Sequence, residues 1–358
     1  MPLRTKTTLA ATLLVSTALV SGCGLFDFPS KEKIDPPQDV TYLKDVTKDK
    51  KEADTKAKEV SKETKKSVQT ELYLLDANGY IVPQTIPLPE TESVAKQAVE
   101  YLVTNGPVSE YLPNGFKAVL PADTTVKSVD IKEGVATVDF SNEFKKYKAE
   151  DEQKILQAVT WTLTQFDSVN KVKLQVNGKG LKEMPVKKTA IDKTGTSRLM
   201  GINNDNSESV DIMNTRPVTV YYMAGDVDNY YYVPVTKRIS NQEKDNVAAI
   251  VNSLVKGPGY QSTLVTEFRP DTKLLEAPEI KDGVAKLNFN ESIYSSFDDK
   301  DKKVSSHLVE SLVLSLTEQE GIKKVAVEVN GKGELVNEEG KKMTEPVARP
   351  QKVNTGKY

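Results

Sequence analysis

The chain has 358 residues, with 49 basic and 51 acidic side chains, one Cys and one His. That length is too long for one ordinary domain and suits two, each with its own core. A formal charge of −2 gives no reason to expect nucleic acid as a partner. One Cys excludes an internal disulfide and a cysteine-based zinc site, and one His excludes a multi-histidine metal centre. The composition points away from an enzyme, and no cofactor or metal is expected.

Residues 1–22 read as a secretion signal. Arg4 and Lys6 precede an apolar run from Leu9 to Val20, too short to span a bilayer and the right length for a signal core. The run ends in Val20-Ser21-Gly22-Cys23, the pattern of a bacterial lipobox, and the only Cys of the chain sits where that signal needs its thiol. Cys23 is the expected lipidation site. A diacylglyceryl group has two acyl chains, enough for stable anchoring without a membrane helix. The expected location is the extracytoplasmic face of the cell membrane. Residues 23–69 are dense in interspersed Lys, Asp and Glu with no apolar face, the composition of a solvated tether.

An internal repeat organises the remainder. Tyr80-Ile81-Val82-Pro83 recurs as Tyr231-Tyr232-Val233-Pro234, Ile131–Ala136 as Ile280–Ala285, and Val176-Asn177-Gly178-Lys179-Gly180 as Val329-Asn330-Gly331-Lys332-Gly333. Two copies of one domain are predicted, over residues 70–183 and 217–336, joined by a linker over 184–216 and followed by a tail over 337–358. In each copy a hairpin precedes a helix, a second hairpin, a second helix and a last strand. The return strand alternates Ala136, Val138, Phe140 against Thr137 and Asp139, so one face of its sheet is buried and the other wet. The expected fold class is α+β: two tandem two-layer α/β sandwich domains, each with a sheet covered by helices on one face.

Candidate chemistry is sparse. His307 aligns with Lys154 of the first copy and reads as a solvated helix flank. Ser305 and Ser306 lack a nucleophile-elbow context. Asp226 and Asp228, and Asp298, Asp299 and Asp301, read as turn and cap residues, without the spacing of a calcium loop. Trp161 aligns with Leu314 and reads as core. The two Asn-Gly segments follow strands and read as turns, not phosphate loops. Tyr221, Tyr222, Tyr230, Tyr231 and Tyr232 are different. Consecutive strand residues point to opposite faces, so some of these rings should be exposed, and this hairpin is the candidate interaction surface.

The lipobox, the spacer Ile34-Asp35-Pro36-Pro37-Gln38-Asp39-Val40 and both copies resemble the GerMN-domain family of sporulation and germination lipoproteins from endospore-forming bacilli. The residues that carry the resemblance include Glu71-Leu72-Tyr73-Leu74, Leu112-Pro113-Asn114-Gly115-Phe116, Leu120–Thr125, Asp139–Phe144 and Trp161–Phe166. The resemblance implies a non-enzymatic role in the space between mother cell and forespore, with proteins of the SpoIIIA–SpoIIQ transenvelope complex as partners. The family's domains are similar to ring-building modules of secretion systems, which implies self-association into rings. A peptidoglycan-binding or cortex-modifying lipoprotein is the rival reading.

Overall fold

Short turn dipeptides set the strand pairings. In the computed structural model, which describes residues 67–205, 211–226, 229–296 and 302–355, Glu133-Gly134 and Asp282-Gly283 have positive φ at both positions. So do Asn177-Gly178 and Asn330-Gly331. Two consecutive left-handed residues make the tight turn whose twist matches that of the strands it joins, and Asn-Gly and Asp-Gly tolerate it best. Both Asn-Gly segments therefore close strands, as their position after a strand predicts.

The first repeat begins with a long hairpin of β1 (Ser67–Leu75) and β2 (Ile81–Pro89), followed by a short helix α1 (Val94–Glu100). Then come β3 (Val126–Lys132), β4 (Val135–Phe140), α2 (Glu152–Leu163), β5 (Lys171–Val176) and β6 (Lys179–Gly180). The second repeat runs β7 (Thr215–Gly225), β8 (Tyr230–Ser240), α3 (Asn246–Lys256), β9 (Glu279–Lys281), β10 (Val284–Phe289), α4 (Ser306–Leu316) and β11 (Lys324–Val329). It ends in β12 (Leu335–Val336), β13 (Lys342–Met343) and β14 (Val347–Ala348).

Each repeat divides its strands between a hairpin ribbon and a four-stranded sheet, ordered β3-β4-β5-β6 and β9-β10-β11-β14. The middle pairs β4–β5 and β10–β11 are parallel because α2 and α4 carry the chain back over the sheet. Ala136, Val138 and Phe140 are fully buried while Thr137 and Asp139 are not, so the sheet is covered on one face. The α+β class is as the alternation predicts.

The ribbon explains what the helices do with their remaining surface. Helix α2 is buried from Ile155 through Leu163, with Ile155, Leu156, Val159 and Leu163 in the main core and Ala158 and Trp161 in a second cluster with Tyr73 and Ile81. The helix also satisfies the outer edge of β1. The Tyr73 amide donates to Thr162 Oγ1 (3.1 Å) and the Glu71 amide to Gln165 Oε1 (2.8 Å). In the second repeat the Tyr221 amide donates to Ser315 Oγ (2.8 Å), and the Ser311 hydroxyl donates back to the Tyr221 carbonyl (2.5 Å). A two-stranded ribbon alone would expose unpaired backbone, and helix side chains close it on one edge.

Glu152, the first residue of α2, folds the segment after β6 against its repeat. Its carboxylate accepts the amides of Val186 (2.9 Å), Lys187 (2.7 Å) and Thr189 (3.0 Å) and the Tyr147 hydroxyl (2.8 Å). Burial alone would raise this carboxyl, but the four donors outweigh it and bring the pKa down to about 2.

Candidate functional site: the junction of the repeats

The outer edges of β2 and β8 face each other, and two short segments clasp them. The Ile81 amide donates to Asn203 Oδ1 (2.8 Å), and Asn203 Nδ2 donates to the carbonyls of Ile81 (2.7 Å) and Pro234 (2.8 Å). Residues 151 positions later repeat the pattern. The Tyr232 amide donates to Asn354 Oδ1 (2.8 Å), and Asn354 Nδ2 donates to the carbonyls of Tyr232 and Pro83, both at 2.8 Å. Each asparagine thus grips its own repeat by one amide and carbonyl and the other repeat by a proline carbonyl. Both adopt a left-handed backbone (φ 46° and 55°), which Asn tolerates better than most residues.

The neighbours of the asparagines are paired in the same way. The Thr236 amide donates to the Ile202 carbonyl (2.8 Å) and the Ile202 amide to Thr236 Oγ1 (2.9 Å). The Thr85 amide donates to the Val353 carbonyl (3.0 Å) and the Val353 amide to Thr85 Oγ1 (2.8 Å). The first strap therefore runs along the partner repeat's β8, and the second along the partner repeat's β2. Pro83 and Pro234 sit where a strand needs an acceptor and no donor, the place an edge strand accommodates proline. The repeats are related by an approximate two-fold axis through this crossing.

Two arginines extend the clasps. Arg198 lies five residues before Asn203, as Arg349 lies five before Asn354. Arg198 Nη1 meets Glu318 Oε2 at 2.6 Å, and Arg349 Nη1 meets Glu318 Oε1 at 3.2 Å. The Tyr221 hydroxyl donates to Glu318 Oε1 (2.8 Å), Arg349 Nη2 reaches Glu71 Oε1 at 3.9 Å, and the Tyr73 hydroxyl donates to Glu71 Oε2 (3.3 Å). The Arg198 guanidinium also lies 4.4 Å from the centre of the Trp161 ring. Burial alone would raise the Glu318 carboxyl, but the two guanidiniums and the hydrogen bonds hold it below its ordinary value. Burial, with Glu318 beside it, pushes the Tyr221 hydroxyl up.

The five tyrosines of the candidate surface belong to this junction and to the core. Tyr221, Tyr222, Tyr231 and Tyr232 are buried, and Tyr230 is half-buried. The Tyr222 hydroxyl donates to the carbonyls of Ser253 (2.7 Å) and Gly257 (2.9 Å) inside its own repeat. The Tyr231 hydroxyl crosses to Asp76 Oδ2 (2.8 Å), with its ring edge-on to Phe116 at 5.2 Å. Tyr232 donates to Glu310 Oε2 (3.1 Å). The expected exposure of this hairpin is thus corrected. Alternation does send the rings to both faces, but the face of Tyr221 and Tyr232 meets helix α4 and the tail, and Tyr231 on the face of Tyr222 reaches the other repeat, so neither face meets water.

His307 is also corrected. It is half-buried, its ring 4.0 Å from that of Tyr230 and its Nδ1 3.1 Å from Glu267 Oε1, so it is not a solvated flank. The Ser305 hydroxyl bonds to the same carboxylate and also caps α4 by accepting the Leu308 amide (3.3 Å). Hydroxyl and imidazole meet at Glu267 and not each other, so they do not form a nucleophile–base pair. Trp161 is buried at the junction. Asp226 accepts the Asn229 amide within its turn (3.0 Å), while Asp228, Asp298, Asp299, Asp301 and Cys23 lie outside the described residues. Among the described residues, no group of three His, Cys, Asp or Glu is placed to hold a metal ion, and no helix is long and apolar enough to cross a membrane.

The linker and tail are therefore the same element, a strap that ends each repeat. Thr196 pairs with Val172 on β5 as Val347 pairs with Val325 on β11. The signal for it is Arg-x-x-x-(Ile/Val)-Asn, at Arg198–Asn203 and Arg349–Asn354, which is too short to stand out beside the longer landmarks.

Residues 71–182 and 219–334 match the model of the Germane family, described as sporulation and spore germination. The chain belongs to the Germane family. It is 56% identical over 360 residues to the spore germination protein GerM of Bacillus subtilis (strain 168), covering 98% of each chain. Its fold is that of the tandem GerMN domains of the sporulation protein GerM from Bacillus subtilis. That structure matches with 59% identity and a TM-score of 0.76, covering 81% of this chain and 99% of the other. The matched Germane regions stop before each strap, so the clasps lie beyond the part of the repeat that defines the family.

Proposed function

We propose that this Germane protein is a non-enzymatic, lipid-anchored assembly component of sporulation, needed for later germination. In this reading diacylglyceryl-modified Cys23 holds it at the extracytoplasmic face of a membrane, and its paired repeats join a transenvelope complex of the SpoIIIA–SpoIIQ type between mother cell and forespore. The observation that carries the reading is the junction. Tyr231, the two arginines and the two asparagines are engaged in joining the repeats, while the wet faces of two four-stranded sheets are left outward. Those faces carry Thr137, Asp139 and Lys173 in the first repeat and Lys286, Asn288 and Glu328 in the second. Two sheets held in fixed relation suit scaffolding between partners. The two-fold crossing favours a closed pair of repeats within the chain over the head-to-tail contact a ring needs.

Crosslinking in sporulating cells, followed by identification of the captured chains, tests the proposal. Proteins of the envelope complex are the expected captures, and their absence counts against it. Release of soluble fragments from cortex peptidoglycan by residues 67–358, abolished by a single carboxylate substitution, would overturn it in favour of a wall-active enzyme.

A further inference from the structure

The strap that ends the second repeat is bound as peptides are bound by recognition domains. Val347 and Ala348 add a short antiparallel strand to β11. Arg349 then donates to the Leu314 carbonyl (3.2 Å) at the end of α4 and to the Tyr221 hydroxyl (3.2 Å), and pairs with Glu318. Gln351 and Lys352 are exposed. Val353 is fully buried in a slot made by Tyr221, Met223, Tyr232 and Leu314, and its backbone is paired to Thr85. Asn354 follows with all of its amide hydrogen bonds made to backbone of two strands. An added strand, one charged anchor, one apolar anchor and an amide clasp are the parts of an extended-peptide site.

The same chain contains an independent instance of this recognition. Arg198, Ile202 and Asn203 occupy the matching positions of the first repeat, where Ile202 is fully buried and packs with Tyr73, Ile81, Ala158 and Trp161. The intervening residues differ completely: Leu199-Met200-Gly201 in one strap and Pro350-Gln351-Lys352 in the other. The anchoring is thus retained although residues 198–200 form a 3-10 turn and only arginine, aliphatic residue and asparagine are shared, which assigns the recognition to those three positions.

We propose that the groove between β8 and α4, with β2 as its far wall, is a peptide-recognition site. It reads Arg-x-x-x-(Ile/Val)-Asn through those three anchors, its occupant in this chain is the C-terminal strap, and it accepts that motif from a separate chain when the strap is withdrawn.

The tandem repeats without the N-terminal region match a solved folding unit at 59% identity, so residues 67–358 and a version ending at Glu345 serve as proteins. A fluorescent peptide of residues 346–358 should bind the shortened protein saturably, by anisotropy, and leave the intact one unbound. Arg349→Ala and Asn354→Ala peptides should bind at least tenfold more weakly. Absence of saturable binding to the shortened protein, or equal binding of the Asn354→Ala peptide, overturns the proposal. If the shortened protein does not fold, a protease site placed between Thr344 and Glu345 allows cutting after folding. A cut strap that stays associated, or that exchanges with excess labelled peptide, supports the site. A strap that leaves with no peptide taken up in its place overturns it.

Discussion

Individual polar side chains carry the joints of this molecule. Asn203 and Asn354 each satisfy one backbone amide and two carbonyls, so truncation leaves buried groups unpaired. The cost is about 1–3 kcal/mol for a group so stranded. Asn203→Ala and Asn354→Ala should therefore destabilise by similar amounts in urea melts of residues 67–358, and a large difference between them would break the two-fold equivalence. Glu318→Leu removes the shared partner of two arginines. Loss of one member of a buried pair costs about 3–5 kcal/mol. Arg198 and Arg349 keep 28% and 24% of their side-chain surface exposed, so a smaller loss of about 2–3 kcal/mol is expected. Glu152 predicts a pH dependence. Its folded pKa is depressed to about 2, so its contribution is present above the ordinary carboxylate range and is lost as pH falls from about 4.5 through 2. Melts across that window should show the loss, and Glu152→Gln should flatten it while lowering stability at pH 7. Little of this was legible in the sequence. A lone Asn or Arg in a polar segment has no period to mark it, and its importance lies in partners from 31 to 271 residues away.

At the scale of elements, alternation and turn chemistry were reliable and the treatment of apparent loops was not. The Asn-Gly and Asp-Gly turns, the alternating strands β4 and β10 and the amphipathic helices could be read directly, because each is a local pattern. The tyrosine hairpin marks the limit of that method. Period two says that a strand has two faces, not what covers the second. Burial of both faces of β7 and β8 is decided by α3, α4 and the strap, with the neighbouring repeat at Tyr231. The straps themselves have no period because each is a single non-repeating length, with a 3-10 turn at residues 198–200 in the first, held by backbone pairing and anchors.

For the whole molecule, the largest hydrophobic cluster takes side chains from both repeats, and each strap bridges both repeats. Residues 67–358 should therefore unfold in a single calorimetric transition, and two separated transitions would contradict a shared core. The proposed anchor is a separate matter. Cys23→Ala should abolish lipid labelling and release the protein from the membrane, and persistent labelling would refute the lipobox assignment.

The single Cys and the single His exclude an internal disulfide and a multi-histidine metal centre, and the internal repeat already implied two related domains. Those conclusions need only counting and local periodicity. The landmark Tyr-x-Val-Pro, first noticed as a sign of duplication, lies in β2 and β8 at the crossing of the two repeats, with Pro83 and Pro234 supplying the acceptors of the asparagine clasps. That role, the inward fate of the tyrosines and the equivalence of linker and tail were decided only in three dimensions. The physical reason is that each depends on which edge strand meets which distant donor, and a one-dimensional pattern carries no record of that.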